Sequence, residues 1–418
     1  MSRWAMSRRG ITLLVFLGVA ASSHRLYAEP PGDSTRPYRY IYNCDADNMF
    51  IYKDPPMQTE AVYPYIDPVA ASGVTSFFIS PNDGMVMNFP SRYARMLGDE
   101  ADPTLLEKIA SEGRQKPGTL ARAALNYRGF VAAGTDAMEI AIQRARQQRM
   151  ETFLSFRMNE VHWVNRPDVF PYNLIVSKFW REHPQWWIGT PGDELSALHK
   201  EILGPRTSPV VASWLPGGLD FAVPEVCRRR LDQIRECCQR YPIDGLDLDF
   251  QRFPMFFKRG TEERNLAVMT EFVRQIREMT REIGQRRGRP LLLSARIMAR
   301  PRQNLALGLD PFAWAREELV DFLIVSHYLR NDFSLPIKAY RQRLPQAFPL
   351  YASIEVEGEA KTYRHLARAL YNEGVDGLMM FNYFTRRESG NEPDFALLKE
   401  LARAETIQLE PVVTSSDE

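Results

Sequence analysis

Asp247, Asp249 and Gln251 stand at every second place in Ile243-Asp244-Gly245-Leu246-Asp247-Leu248-Asp249-Phe250-Gln251-Arg252-Phe253-Pro254. A strand sends alternate side chains to one face. These three therefore point one way, and Leu246, Leu248 and Phe250 the other. Carboxylates in a row on a buried strand are costly unless that face opens on water, a ligand or partner charges. Two carboxyl groups at such an opening can divide acid and base work when one is kept protonated and the other ionised. A second acid-bearing run, Leu350-Tyr351-Ala352-Ser353-Ile354-Glu355-Val356-Glu357, puts Glu355 and Glu357 on a shared face. A third group, Arg157-Met158-Asn159-Glu160-Val161-His162-Trp163, concentrates donors and acceptors of the kind that hydroxyl-rich ligands need.

These groups need elements that bring their ends together. Strand patterns cover residues 38–44, 74–80, 151–156, 243–250, 290–297, 320–328, 350–357 and 377–384. Helical patterns alternate with them, at 67–72, 135–147 with Thr135 as cap, 225–240, 262–282, 311–318, 362–372 and 395–404. Eight strands alternating with helices, each ending in polar or aromatic residues, predict an α/β fold of the (β/α)8 TIM barrel type. Active sites of that fold sit at the C-terminal ends of the strands. Residues 85–130 and 164–219 read as loop insertions, the second carrying Trp180, Trp186, Trp187 and Trp214. A doubly wound sheet is the competitor, but no G-x-G-x-x-G, Walker loop or G-x-S-x-G elbow is present. No internal repeat stands out.

The run from Asp244 to Pro254 resembles the fourth-strand motif of glycoside-hydrolase-like barrels. The likeness is to the glycosyl-hydrolase-like family 10 type, with an aspartate followed by an aromatic residue, an arginine and a proline. The approach through Leu219-Asp220-Phe221-Ala222-Val223-Pro224-Glu225-Val226, a helix and Tyr241-Pro242-Ile243-Asp244-Gly245 is similar too. The same strand resembles the D-G-x-D-x-D-x-E motif of family 18 chitinases, in which the last Glu donates the proton. Gln251 holds that place here and cannot do so. The resemblance implies a glycoside hydrolase whose acid chemistry moves to Asp249 or to another strand.

Glycoside hydrolysis needs two carboxyl groups astride the scissile bond. Asp249 is the first choice for catalysis, against a structural acid held by Arg252 or a strand neighbour. Barrels of this resemblance often place acids on strands four and seven, which makes Glu355 the partner. Its alternative is an ion pair with Arg296 or a bond to His327 inside the mouth, and Glu160 is the other candidate partner. Asp247 lies deeper and supports Asp249. Gln251, Arg252, Arg157, Asn159, Glu160, His162, Arg296, His327, Tyr328, Glu357, Asn382 and Tyr383 are expected to bind substrate, and Trp163 to stack on a sugar face. Trp186, Trp187 and Trp214 could stack likewise or simply pack. Asp45, Asp47, Asn82 and Asp83 could meet a hard cation or sugar hydroxyls, so no metal and no cofactor is assigned. A metal hydrolase with paired histidines is disfavoured, because no H-x-H occurs. The rival to catalysis is a barrel that binds carbohydrate without cutting it, which Gln251 motivates.

Lys plus Arg number 53 against 52 Asp plus Glu, a formal net charge of +1 that argues against a nucleic-acid partner. Arg3, Arg8 and Arg9, the apolar run 11–21 and Leu26-Tyr27-Ala28 read as a signal peptide over 1–28. A linker follows at 29–36, the barrel at 37–406 and a tail at 407–418. The expectation is a secreted or periplasmic protein with no membrane segment after cleavage. Cys44, Cys227, Cys237 and Cys238 have no framework spacing and read as thiols.

Overall fold

Eight parallel strands close into a barrel in chain order. They are β1 (Ile41–Cys44), β2 (Ser76–Ile79), β3 (Glu151–Arg157), β4 (Gly245–Asp249), β5 (Leu292–Met298), β6 (Phe322–Ser326), β7 (Leu350–Ile354) and β8 (Leu378–Phe381). The computed structural model describes residues 37–113, 117–332, 334–355, 359–383 and 392–408. A helix follows every strand, at Tyr63–Ala71, Ala137–Gln147, Pro224–Arg240, Leu266–Arg287, Pro311–Arg316, Ile337–Arg341, Ala360–Asn372 and Phe395–Glu400. The expected TIM barrel is therefore present. The region 85–130 adds helices Pro103–Ser111 and Gly118–Ala132, and 164–219 adds three short ones.

One local expectation changes, and two helices are added. The helix expected to be capped by Thr135 is capped by Asp136, whose carboxylate accepts the Glu139 N–H at 2.9 Å. Asp136 also accepts from Arg240 and Tyr241, so tertiary partners favour it over its neighbour. The helices Pro301–Ala306 and Ile337–Arg341 were not anticipated, being too short to show a periodicity. The signal peptide, the linker, Glu357 and the tail beyond 408 lie outside the described residues. No helix among the described residues is long and apolar enough to cross a membrane. No disulfide joins the four cysteines.

The lumen changes character along each strand. At the lower end Ile41, Phe78, Phe153, Phe322, Ile324, Tyr351 and Met379 form their own apolar cluster. Phe78 and Phe153 stack at 4.4 Å. Gly245 makes room for them, because a Cβ there would sit 2.0 Å from the Phe153 ring. Two residues higher come Ser155, Asp247, Ser294 and Ser353, and two higher again Arg157, Asp249, Arg296 and Glu355. Leu246, Leu248 and Phe250 turn outward into the core beneath the helices, as the alternation requires.

The lower rim repeats a device that the sequence did not reveal as a repeat. Ile243-Asp244-Gly245-Leu246, Val320-Asp321-Phe322-Leu323 and Val375-Asp376-Gly377-Leu378 lead into β4, β6 and β8. Each Asp accepts a backbone N–H from the preceding strand's start: Thr152 at 2.9 Å, Leu293 at 2.7 Å and Leu350 at 2.8 Å. Each also pairs with an arginine of the helix that leads into that preceding strand: Arg146, Arg277 and Arg341. Thr75 takes the same place before β2, accepting the Tyr40 N–H at 2.9 Å. A four-residue pattern spaced by tens of residues is too weak to read without the barrel.

Candidate functional site

The C-terminal ends of the strands carry two buried ionic groups. The first is centred on Arg296 of β5. Its register places it beside Asp249. Its Nη1 lies 3.3 Å from Asp249 Oδ2, and its Nη2 donates to Glu355 Oε1 at 2.6 Å. The guanidinium carbon sits 3.9 Å from the Phe381 ring centroid. Asp249 and Glu355 are each 1% exposed. The expected acids of strands four and seven thus meet, but on one arginine and below the surface. Glu355 takes the partner weighed as its alternative, Arg296.

The two carboxylates are held differently. Asp249 Oδ1 accepts the Gln251 N–H at 2.9 Å. Glu355 Oε1 accepts from Arg296 and lies 2.8 Å from Ser326 Oγ and 3.0 Å from Ser353 Oγ. Its other oxygen, Oε2, is buried and has no hydrogen-bond partner among the described residues. Asn331 clasps the Glu355 backbone, accepting its N–H at 3.0 Å and donating to its carbonyl at 3.1 Å. Beneath Asp249, Asp247 accepts from Ser155 at 2.7 Å and from Ser294 at 2.8 Å. Burial, then the charge of Asp249, pushes the Asp247 carboxyl up to about 7.

The second group is centred on Arg157 of β3. It donates to Glu160 at 2.8 Å, pairs with Asp45 and lies 3.5 Å from Asp83. Burial opposes ionisation of Glu160, but His162, Arg157 and Arg252 hold its carboxyl down at about 2. Burial likewise opposes ionisation of Asp45, and Arg157 and Arg252 hold it well below the usual carboxylate range. His162 Nδ1 faces Glu160 Oε1, and Arg252 Nη2 stands 3.2 Å from His162 Nε2. A guanidinium can only donate. His162 is therefore the neutral Nδ1–H tautomer, and burial with Arg252 lowers its pKa despite Glu160.

Asp83, Glu160 and His162 bring one ligand atom each within 4.8 Å of one another. This donor set does not fit a cation. Arg157 already bonds Glu160 and faces Asp83, and Arg252 faces the remaining His162 nitrogen, so two positive charges hold the space.

Several expected ligand residues make hydrogen bonds to the frame. Asn159 spends its amide on Leu219 and Met255 backbone. Gln251 Nε2 donates to the carbonyls of Ile297 and Ser326, at 2.8 and 2.5 Å, lacing β4 to β5 and β6. Asn382, at φ 49°, ties β8 to β1 through Asp45. Tyr383 donates to the Asp394 carbonyl and packs on Tyr363 of the outer helix. His327 lines a cavity of about 270 Å³ against the helix Ala360–Asn372. Trp186 stacks on His183 and Trp187 on Trp180, each at 3.9 Å, within the insertion.

Trp163 differs. It adopts φ 62°, stacks on Tyr172 at 4.0 Å, and adjoins Trp214 and His162 at the rim. Tyr328 is buried beside Phe253, and its hydroxyl has no hydrogen-bond partner among the described residues. Sequence reasoning did not single out Ser155, Ser294, Ser326 and Ser353. Their signal is position: each shares the inward phase of an acid or arginine on its own or a neighbouring strand.

No family model matches the chain, and no curated protein matches it. Among solved structures it is similar to the glycoside hydrolase domain of PgaB (BpsB) from Bordetella bronchiseptica. That match has a TM-score of 0.52 at 12% identity over 88% of this chain and 99% of that one. An α-amylase from Geobacillus thermoleovorans matches at 13% identity and TM-score 0.42, over 87% of this chain and 77% of that one. The α-galactosidase AgaA from Geobacillus stearothermophilus matches at 13% and 0.43, and the chain spans 41% of its length. The likeness is one of fold, a glycoside-hydrolase-like TIM barrel.

Proposed function

We propose that this chain is an exported glycoside hydrolase that cleaves O-glycosidic bonds of a poly- or oligosaccharide, with Asp249 and Glu355 as its working carboxyl groups. One observation carries the reading: Glu355 has one oxygen fixed by Arg296 and two serines and the other bare. An anion oriented through one oxygen, with the other unsolvated, suits attack on an anomeric carbon or activation of water. Asp249, held by Arg296, supplies the second carboxyl group, as acid or nucleophile. Asp247, neutral to about pH 7, sits on the same strand face and limits the negative charge there. Whether the product retains or inverts configuration follows from the carboxyl separation, about 5–5.5 Å against about 6.5–9.5 Å.

A second reading, a barrel that binds glycan without cutting it, is favoured by Gln251, whose amide serves the frame where a chitinase-like motif has its acid. Turnover separates the two. Mature protein, Glu355→Gln and Asp249→Asn are incubated with a panel of polysaccharides, and new reducing ends are measured. The hydrolase reading expects release by the parent and a loss of about 10³-fold in each variant. Binding without release from every polysaccharide would leave the non-catalytic reading.

A further inference from the structure

Glu355 stands just past the sheet. The last register pair of β7 with β6 is at Ala352, and with β8 at Ile354. The Glu355 backbone is therefore beyond both ladders, yet the residue is 1% exposed. A buried N–H and C=O need partners. Asn331 supplies both: its Oδ1 accepts the Glu355 N–H at 3.0 Å, and its Nδ2 donates to the Glu355 carbonyl at 3.1 Å. A planar side-chain amide offers a donor and an acceptor together, so one residue takes the place of a neighbouring strand. With the backbone pinned there, the Glu355 side chain reaches Arg296 Nη2 and the hydroxyls of Ser326 and Ser353.

The loop that carries Asn331 is itself held by the insertion. Arg330 Nη2 donates to the carbonyl of Glu201 at 2.5 Å, in the last turn of the helix Ala197–Leu203. A cation suits that helix end, where carbonyls lack partners within the helix. Gly204 ends the helix at φ 78° and leaves the seat for the guanidinium, since a Cβ there would lie 2.2 Å from Arg330 Nη1. Arg330 Nη1 also meets Asp332 at 2.9 Å, so the residues on both sides of Asn331 are tied together. Leu329, just before them, keeps φ 51° and is 46% exposed, a backbone state that persists where its surroundings hold it. The same helix is bound, through Glu201 Oε1, to Arg300 and Arg302 after β5.

We propose that Asn331 is a positioning residue for the Glu355 carboxylate, and that docking of the insertion helix Ala197–Leu203 holds Asn331 in place through Arg330. The insertion thereby regulates the carboxyl group that the hydrolase reading uses, and the catalytic half of the proposal rests on that reading.

Two measurements test it, on the mature chain, Asn331→Ala, Arg330→Met, the double variant and Arg302→Met, each corrected to its folded fraction by urea unfolding. The first is hydrogen exchange of the Glu355 amide, which needs no substrate. Asn331→Ala should speed it by roughly tenfold or more, and Arg330→Met by several-fold. Arg302→Met, which removes an exposed contact of the same helix, should leave it within about twofold of the parent. The second is kcat and KM on a polysaccharide that the parent cleaves. Asn331→Ala should lower kcat by roughly 10- to 100-fold, with KM changed by less than about threefold. Arg330→Met should lower kcat less, and the double variant no further than Asn331→Ala, because both act through one contact. An exchange rate unmoved in Arg330→Met, or moved as far in Arg302→Met, overturns the coupling. An unchanged kcat in Asn331→Ala overturns the positioning role and leaves the hydrolase reading standing. A parent that cleaves no polysaccharide removes the hydrolase reading and the positioning role with it, and exchange alone then decides the coupling.

Discussion

The two ends of the barrel use the same residue types to opposite effect. At the lower rim, Asp244, Asp321 and Asp376 each meet an arginine of the helix leading into the preceding strand and one backbone N–H, Asp244 also meets Arg289, and Thr75 repeats the backbone part. Arg39 joins Glu151 and lies over Phe322 on the aromatic plug. At the mouth the pairing is irregular. Arg157 is crowded by three acids, Arg296 by two, and Arg252 has none. Glu355 Oε2, Gln251 Oε1, Arg252 Nε and the Tyr328 hydroxyl are left unmatched. Repetition of one pairing is what stability alone favours. Unmatched polar atoms cost about 1–3 kcal/mol each, and Arg277 Nε at the lower rim is one of them too.

Substitutions can break this contrast or sharpen it. The largest effect is expected from Arg157→Met, which leaves Asp45, Asp83 and Glu160 buried without their cation. A loss of roughly 3–5 kcal/mol in urea unfolding, together with loss of turnover, is the expected outcome. A stability change below about 1 kcal/mol would mean that the mouth acids are solvated and the contrast is overstated. Gln251→Glu comes next. It restores the chitinase-like letter but sets a carboxylate against two carbonyls, so about 2–4 kcal/mol should be lost with no gain of activity. A rise in reducing-end release would show that this place is catalytic after all.

Asp321→Ala tests the lower rim. It strips a partner from the Leu293 N–H and from Arg277, and should cost about 2 kcal/mol while kcat per folded molecule stays the same. A fall in kcat per folded molecule would show that the two ends are coupled. The last effect is a slope. The folded protein keeps the Asp247 proton to about pH 7, whereas the unfolded chain releases it near 3.8. Stability therefore falls as pH rises between those values, by up to about 1.4 kcal/mol per unit from this group. Asp247→Asn should flatten the profile measured from pH 5 to 7, a window above the range where Asp45 and Glu160 titrate in the unfolded chain. An unchanged slope would indicate that Asp247 is ionised in the fold.

Much of the frame was legible from local pattern. The alternation in β4 assigned Asp247 and Asp249 to the lumen and Leu246, Leu248 and Phe250 to the helices, because side-chain direction in a strand depends only on parity. The alternation of strands and helices gave the barrel, and the barrel gave the mouth. The roles of individual polar residues were less legible. Asn159, Gln251, Asn382 and Tyr383 have the chemistry of ligand residues, yet their bonds go to backbone or frame groups that no nearby residue announces. Asp136 displaced Thr135 as a cap for the same reason, through Arg240 and Tyr241 about a hundred residues away.

Taken alone, the chain's order of apolar and polar residues determined which side chains enter the lumen and at which end, since both follow from periods of two and 3.6 residues. Which charges meet there was decided by closure of the barrel. Arg296 finds Asp249 and Glu355 across 47 and 59 residues of chain, and Arg157 finds Asp45 across 112. Neutralisation of a buried charge depends on a few ångströms of separation, and only the folded barrel sets distances on that scale.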